Sequence, residues 1–222
     1  MRINFKNILY LVVFVGFSFA NAGSYEDFFK AIDQDQADVI SRLLARGFDP
    51  NSPNPNGQPA LMVAIQKSSD KSVDVLVNWP KTNLSMQNLQ GETPLMLAAI
   101  QNKLPLAERL MSRGADVNKP GWTPLHYAAS KGHISMMRFL IENHAYLDAE
   151  SPNGTTPLMM AAHYGSPMAT KLLLEEGADP RLLNQLGLSA LDFAAKAKQP
   201  EAEQYIQAFL AVWREKYPQG SH

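Results

Sequence analysis

Few side chains in this chain have the types and spacing that chemistry needs. Its 222 residues include five histidines and no cysteine. Imidazole titrates near neutral pH and ligates metals, so His126, His133, His144 and His163 are the first candidates. None of them stands in an H-E-x-x-H pair, and the chain carries no Walker-type phosphate loop and no G-x-S-x-G elbow. His163 and Tyr164 are neighbours able in principle to act together, but the sequence supplies no third member. The ten methionines, among them Met62, Met96, Met159 and Met160, read as adaptable core filler rather than a metal- or cofactor-binding cluster. The expectation is a protein with no catalytic residues, no metal and no cofactor.

What the elements do offer is repetition. One nine-residue pattern recurs: GQPALMVAI from Gly57, GETPLMLAA from Gly91, GWTPLHYAA from Gly121, GTTPLMMAA from Gly154 and GLSALDFAA from Gly187. These glycines are 34, 30, 33 and 33 residues apart, and a degenerate copy, SYEDFFKAI from Ser24, lies one 33-residue period upstream. Thr93-Pro94, Thr123-Pro124 and Thr156-Pro157 read as helix starts, because the hydroxyl caps the first turn and proline fits inside it. Alanine pairs at 98–99, 128–129, 161–162 and 194–195 let neighbouring helices approach closely. An apolar pair about ten residues later marks a second helix: Leu43-Leu44, Leu76-Val77, Leu110-Met111, Leu140-Ile141 and Leu173-Leu174. Gly47, Gly114 and Gly177 end three of these helices where a left-handed residue is wanted, and His144 holds that position in a fourth. FDPN, ADVN or ADPR then opens a protruding finger. No single helix pair can bury its own apolar face, so stacking must supply the core.

A fixed period with Thr-Pro-Leu-His-x-Ala in its best copy, Thr123 to Ala128, resembles the ankyrin repeat. The resemblance implies an all-α ankyrin-repeat solenoid of about six helix-turn-helix repeats with β-turn or hairpin fingers. Its repeats fall at 24–56, 57–90, 91–120, 121–153, 154–186 and 187–219, within a domain of residues 23–219. It implies a non-enzymatic protein-binding module with a concave contact face. It implies that His126 ties neighbouring loops by hydrogen bonds. The contact surface implied is the residue after each motif glycine and the pair after each alanine pair. Here those are Glu92, Ile100 and Gln101; Trp122, Ser130 and Lys131; Thr155, His163 and Tyr164; and Leu188, Lys196 and Ala197. Ile100, Trp122 and Tyr164 put large apolar groups on that surface, the kind that dominates interface energetics. The alternative for Trp122 is packing along its own finger.

Departures from the pattern are informative. Asp116 is five residues before Gly121, whereas Asp49 and Asp179 are each eight before theirs, so the third finger should be stubby and leave a notch beside Trp122. The second repeat has an extra residue near Trp79-Pro80, where proline should stop the helix. At the N-terminal end Phe28, Phe29, Ile32, Val39, Ile40, Leu43 and Leu44 should face inward. At the other end Tyr205, Phe209, Trp213 and Tyr217 recur every four residues on a helix expected over 201–216. That stripe reads as a lid on the sixth repeat or as a partner-docking helix.

Residues 1–22 follow a different logic. Arg2 and Lys6, the apolar run Ile8 to Phe19 and Ala20-Asn21-Ala22 are the pattern of a cleaved signal peptide. The combination resembles small exported ankyrin proteins of Gram-negative bacteria, so the expectation is a periplasmic, monomeric protein with no membrane insertion after cleavage. Without residues 1–22 the chain has 18 Lys and Arg against 21 Asp and Glu, a net charge of −3, with no basic stripe for nucleic acid. The expected partner is another exported protein that this one regulates, protects or neutralises. The alternatives are a chaperone-like stabiliser of a periplasmic enzyme and, last, an enzyme without a recognised motif.

Overall fold

The computed structural model describes residues 23–216; the leader at 1–22 and Tyr217 of the aromatic stripe lie outside the described residues. Helix starts are built as the hydroxyl residues require. Thr93 Oγ1 accepts the Met96 N–H at 3.3 Å, Thr156 Oγ1 the Met159 N–H at 3.4 Å, and Ser189 Oγ the Asp192 N–H at 3.3 Å. Each satisfies one of the donors that a helix start leaves without a partner.

Twelve helices occur among the described residues. They are α1 (residues 23–33), α2 (Ala37–Ala45), α3 (Ala60–Lys67), α4 (Asp70–Asn78), α5 (Pro94–Ile100), α6 (Leu104–Ser112), α7 (Pro124–Lys131), α8 (Ile134–Glu142), α9 (Pro157–Tyr164), α10 (Pro167–Glu175), α11 (Ala190–Ala197) and α12 (Pro200–Lys216). The motif supplies the first helix of each pair and the apolar pair lies on the second. Gly47, Gly114 and Gly177 are left-handed (φ +94°, +89° and +103°), and His144 adopts the same geometry at φ +66°. Helix α4 stops before Trp79, whose backbone is extended (φ −72°, ψ +128°), as the following proline demands.

The chain divides into two compact units, one ending at Leu89 and the other beginning at Gln90. In the first, α1 and α2 bury Phe28, Ile32, Ile40, Leu43 and Leu44, while Phe29 and Val39 are only half-buried. In the second, α5, α7, α9 and α11 stack in order, and α10 packs against both α8 and α12. Alanines 98, 99, 128, 129, 161 and 162 are buried between these helices, with Leu95, Leu125 and Leu158 beside them. Helix α12 covers α10 and α11. It buries Ala202 and Ile206 and leaves Tyr205, Phe209 and Trp213 half-buried. The Lys171 ammonium stands 5.7 Å from the Tyr205 ring centre and the Arg181 guanidinium 4.1 Å from that of Trp213. The stripe thus lies half-buried on the second helix of the last repeat, with Tyr205 beside α10.

The fingers are tight hairpins rather than strands, with a single antiparallel bridge, Pro53 to Pro59, among the described residues. Their tips share one bond: Asn54 N–H to Gln58 O (2.8 Å), Ser151 N–H to Thr155 O (3.0 Å) and Asn184 N–H to Leu188 O (3.0 Å). Neighbouring fingers are tied at a second position. Asn51 Nδ2 donates to Lys81 O (2.9 Å), and Asn51 Oδ1 accepts from Asn83 N (2.7 Å). In the short third finger Asn118 does the same, donating to His144 O (2.7 Å) and accepting from Tyr146 N (2.9 Å). Asn118 is two residues past Asp116, like Asn51 past Asp49, and also three before its glycine, like Asn54. One asparagine thus stands at both positions, and the tip between them is what the three missing residues remove.

Gly165 ends α9 without a left-handed backbone (φ −82°). Its reason is space: a Cβ there would run into the Ala129 carbonyl of α7 and come within 2.9 Å of the Ala161 carbonyl. Backbone on both sides cannot yield as a side chain would, so Gly165→Ala should destabilise the protein by about 3 kcal/mol or more. Gly177→Ala, with open space around its Cβ but φ +103°, should cost only about 1–2 kcal/mol. Urea denaturation of the two variants checks this ordering, and equal losses would contradict it.

Candidate protein-binding cleft

Helix α7 shows one flank at Tyr127, Ser130 and Lys131, spaced i, i+3 and i+4, and α9 shows Met160 and Tyr164 at i and i+4. With Ile100 at the end of α5 and Trp122 just before the α7 cap, these side chains line a cleft of about 380 Å³. Trp122 is half-buried, its ring standing edge-on to His126 with centres 5.2 Å apart. Tyr164 is 61% exposed, leaving an aromatic wall in water. Ser130 Oγ is turned inward to the Tyr127 carbonyl (2.8 Å). The Tyr127 hydroxyl donates to Glu92 Oε1 at 3.1 Å. Burial, and then the Glu92 carboxylate, push the Tyr127 phenol well above its usual range, so it remains a protonated donor.

His126 sits behind this wall, fully buried. Its Nδ1 accepts the Thr123 backbone N–H (3.1 Å), closing the capping box of α7. Its Nε2 lies 2.9 Å from Thr155 O; a carbonyl only accepts, so Nε2 carries the proton and donates across to the next repeat. Burial holds its pKa down, from 6.5 to about 4. At the equivalent position Met96 and Met159 place a sulfur 3.4 Å from the capping N–H, and Asp192 an oxygen at 2.8 Å. None of those three has a second hydrogen-bonding group pointed at the next repeat as His126 does. His133 and His163 tie repeats in another way, with Nε2 3.1 Å from Ile100 O and Nδ1 3.1 Å from Phe193 O.

Of the residues the repeat pattern nominates, Ile100, Trp122, Ser130, Lys131 and Tyr164 meet in the cleft. Trp122 faces it as well as its own repeat. Glu92 stands behind Tyr127, and His163 supports Tyr164 with ring centres 4.2 Å apart. Gln101 and Lys196 are exposed but do not line the cleft. Leu188 is half-buried in its finger, where its N–H donates to Asn184 Oδ1 at 3.0 Å; Ala197 is half-buried too. Thr155 is a correction: expected on the contact surface, it is 2% exposed, because its N–H bonds Ser151 Oγ and its carbonyl receives His126. Tyr127 was missed, and Met160, expected as core filler, is instead half-buried in the cleft wall, although the helical spacing of both to Lys131 and Tyr164 was visible. A second cleft, in the first unit, measures about 460 Å³, but its amides are used on one another: Asn54 Nδ2 to Gln58 Oε1 (3.1 Å) and Gln58 Nε2 to Gln66 Oε1 (2.9 Å). Among the described residues no three His, Asp or Glu converge to hold a metal, and no helix is long and apolar enough to cross a membrane.

Models of ankyrin repeats match residues 28–120 and 73–151, and a further one matches 140–194. The chain belongs to the ankyrin-repeat family. It is 30% identical over 161 residues to the nuclear factor NF-kappa-B p105 subunit of Gallus gallus, and 39% identical over 116 residues to the human neurogenic locus notch homolog protein 1. Those stretches cover 69% and 50% of this chain but only 16% and 4% of the relatives. An ankyrin repeat domain from Acinetobacter baumannii superposes with a TM-score of 0.71 at 24% identity, covering 82% of this chain and 96% of that one. A chain from the solved complex of a Bdellovibrio bacteriovorus predatory endopeptidase with an immunity protein superposes with a TM-score of 0.69 at 26% identity, covering 82% and 97%. The fold is thus an ankyrin-repeat solenoid, a protein-interaction architecture, and nothing in these likenesses shows catalysis.

The His126 tie between ankyrin repeats makes a pH prediction. The unfolded ring takes up a proton near pH 6.5, the folded one only near pH 4. Between these values the unfolded state binds the extra proton, so stability falls as pH drops through the window, by at most about 3 kcal/mol. Urea midpoints at pH 7 and pH 4.5 measure the loss, and it should shrink clearly in His126→Gln.

Proposed function

We propose that this protein is an exported, periplasmic ankyrin module that binds another exported protein and regulates, protects or neutralises it. The observation that carries the reading is the open cleft between α5, α7 and α9. It holds aromatic and apolar groups in solvent on helices whose own packing is already complete. Exposed aromatics on a rigid scaffold are the usual anchors of protein interfaces, and a scaffold ordered before binding loses little conformational entropy on association. The likeness to a chain from an endopeptidase–immunity protein complex supports an enzyme as the partner. The sequence of residues 1–22 supports the periplasmic address. With its 18 basic and 21 acidic residues after cleavage, the mature protein is expected to bind neither nucleic acid nor membrane.

Two measurements test this. N-terminal sequencing of the mature protein from a periplasmic extract should begin at Gly23; an intact Met1 in the cytosol would remove the export reading. Affinity capture from the same extract should recover a defined protein with the wild type. Trp122→Ala and Tyr164→Ala should each weaken that capture about 30-fold, while keeping the helical spectrum and melting temperature. Folded variants that retain full capture would place the interface elsewhere.

A further inference from the structure

The cleft is apolar on its walls and charged on one side only. Trp122, Tyr127 and Tyr164 give it three rings, and Ile100 and Met160 add an aliphatic and a thioether surface. Rings and methionine sulfur both make favourable contacts with an incoming ring. At about 380 Å³ the space is near the lower end of ligand pockets, which run from about 300 to 1,000 Å³, so it suits one bulky side chain rather than a length of peptide. Lys131 is exposed at the end of α7 and forms no ion pair among the described residues. No carboxylate lines the cleft beside it, and Glu92 is engaged by the Tyr127 hydroxyl.

We infer that the cleft receives one aromatic side chain of the protein partner, flanked by an Asp or Glu, the ring entering between Trp122 and Tyr164 and the carboxylate meeting Lys131. This rests on the binding function proposed above and specifies the partner's chemistry at that site. The charge complement also disfavours the chain's own leader as occupant, because residues 1–22 carry Arg2 and Lys6 and no acidic residue.

The test uses ¹⁵N-labelled mature protein titrated with the peptide acetyl-Ser-Gly-Trp-Asp-Gly-Ser-amide and with its Asn and Lys counterparts at the Asp position. The Trp122 indole signal and the Lys131 amide should shift. Affinity should fall in the order Asp, Asn, Lys by about threefold per step at low salt, with the steps narrowing at high salt. In Lys131→Glu the order should reverse while the Trp122 shift persists, and a peptide with Ala for Trp should give no shift. Absence of a Trp122 shift with every peptide, equal affinities, or an order unchanged in Lys131→Glu would overturn the inference. So would cleft shifts on raising the protein concentration alone, which would make a second copy the occupant. A flat peptide result beside a capture lost in Trp122→Ala overturns this occupant only. A capture untouched by Trp122→Ala and Tyr164→Ala overturns the binding function and the occupant with it.

Discussion

Everything in this protein depends on the fact that a helix of eight or nine residues cannot stand alone. Helices of that length are marginal in water even with favourable sequences, and most here are seven to nine residues long and pack against helices of neighbouring repeats as well as their own partners. Order is therefore obtained between repeats. The alanine pairs set how closely the motif helices stack, and Gly165 sets how closely the end of one approaches the backbone of the last. Methionine and leucine fill what remains. Because each repeat leans on its neighbours, the terminal ones need helices adapted to an end. At the C-terminal end the second helix of the sixth repeat, α12, is lengthened to 17 residues, with buried Ala202 and Ile206 and with Trp213 under the Arg181 guanidinium.

Polar ties fix the register that apolar packing alone leaves loose. Greasy helices can slide, whereas a buried imidazole with one donor and one acceptor has a single satisfied arrangement. His126 uses Nδ1 to start its own helix and Nε2–H to hold the next finger, so the local start and the long-range contact are one event. The asparagines of the fingers act similarly outside the core, Asn51 and Asn118 each bridging to the finger that follows. The cleft inherits its rigidity from this arrangement. Trp122 leans on His126, Tyr164 on His163, and both histidines are bonded to the backbone of the following repeat.

Most of the architecture was legible because its signals are local and repeated. Thr-Pro at helix starts, alanine pairs and glycine at helix ends each follow from short-range chemistry, and even His144 in the glycine position was readable from its place in the period. The site was legible by half. Ile100, Trp122 and Tyr164 stood out as large apolar groups in outward positions, and they do meet. Thr155 misled because its position is outward by pattern, while its fate is decided by a histidine in the preceding repeat. Tyr127 and Met160 were hidden for the opposite reason. They sit among motif residues that are normally core, and only their i and i+4 spacing to Lys131 and Tyr164 marked them as sharing the outward flank. The finger-to-finger asparagine ladder was also present in the sequence, but its meaning needs two fingers at once.

The doubling of roles at Asn118 has a consequence for how such a chain changes over time. The interval from Gly91 to Gly121 is 30 residues, yet α5 and α7 stack as neighbours just as α7 and α9 do across 33. Distance along the chain and advance through the stack are thus independent quantities. A finger can gain or lose its tip while its asparagine keeps the tie, with no error passed to the helices. The three residues absent from the third repeat are taken from its finger tip, so the outline presented to a partner changes while the stacking of α5 on α7 is kept.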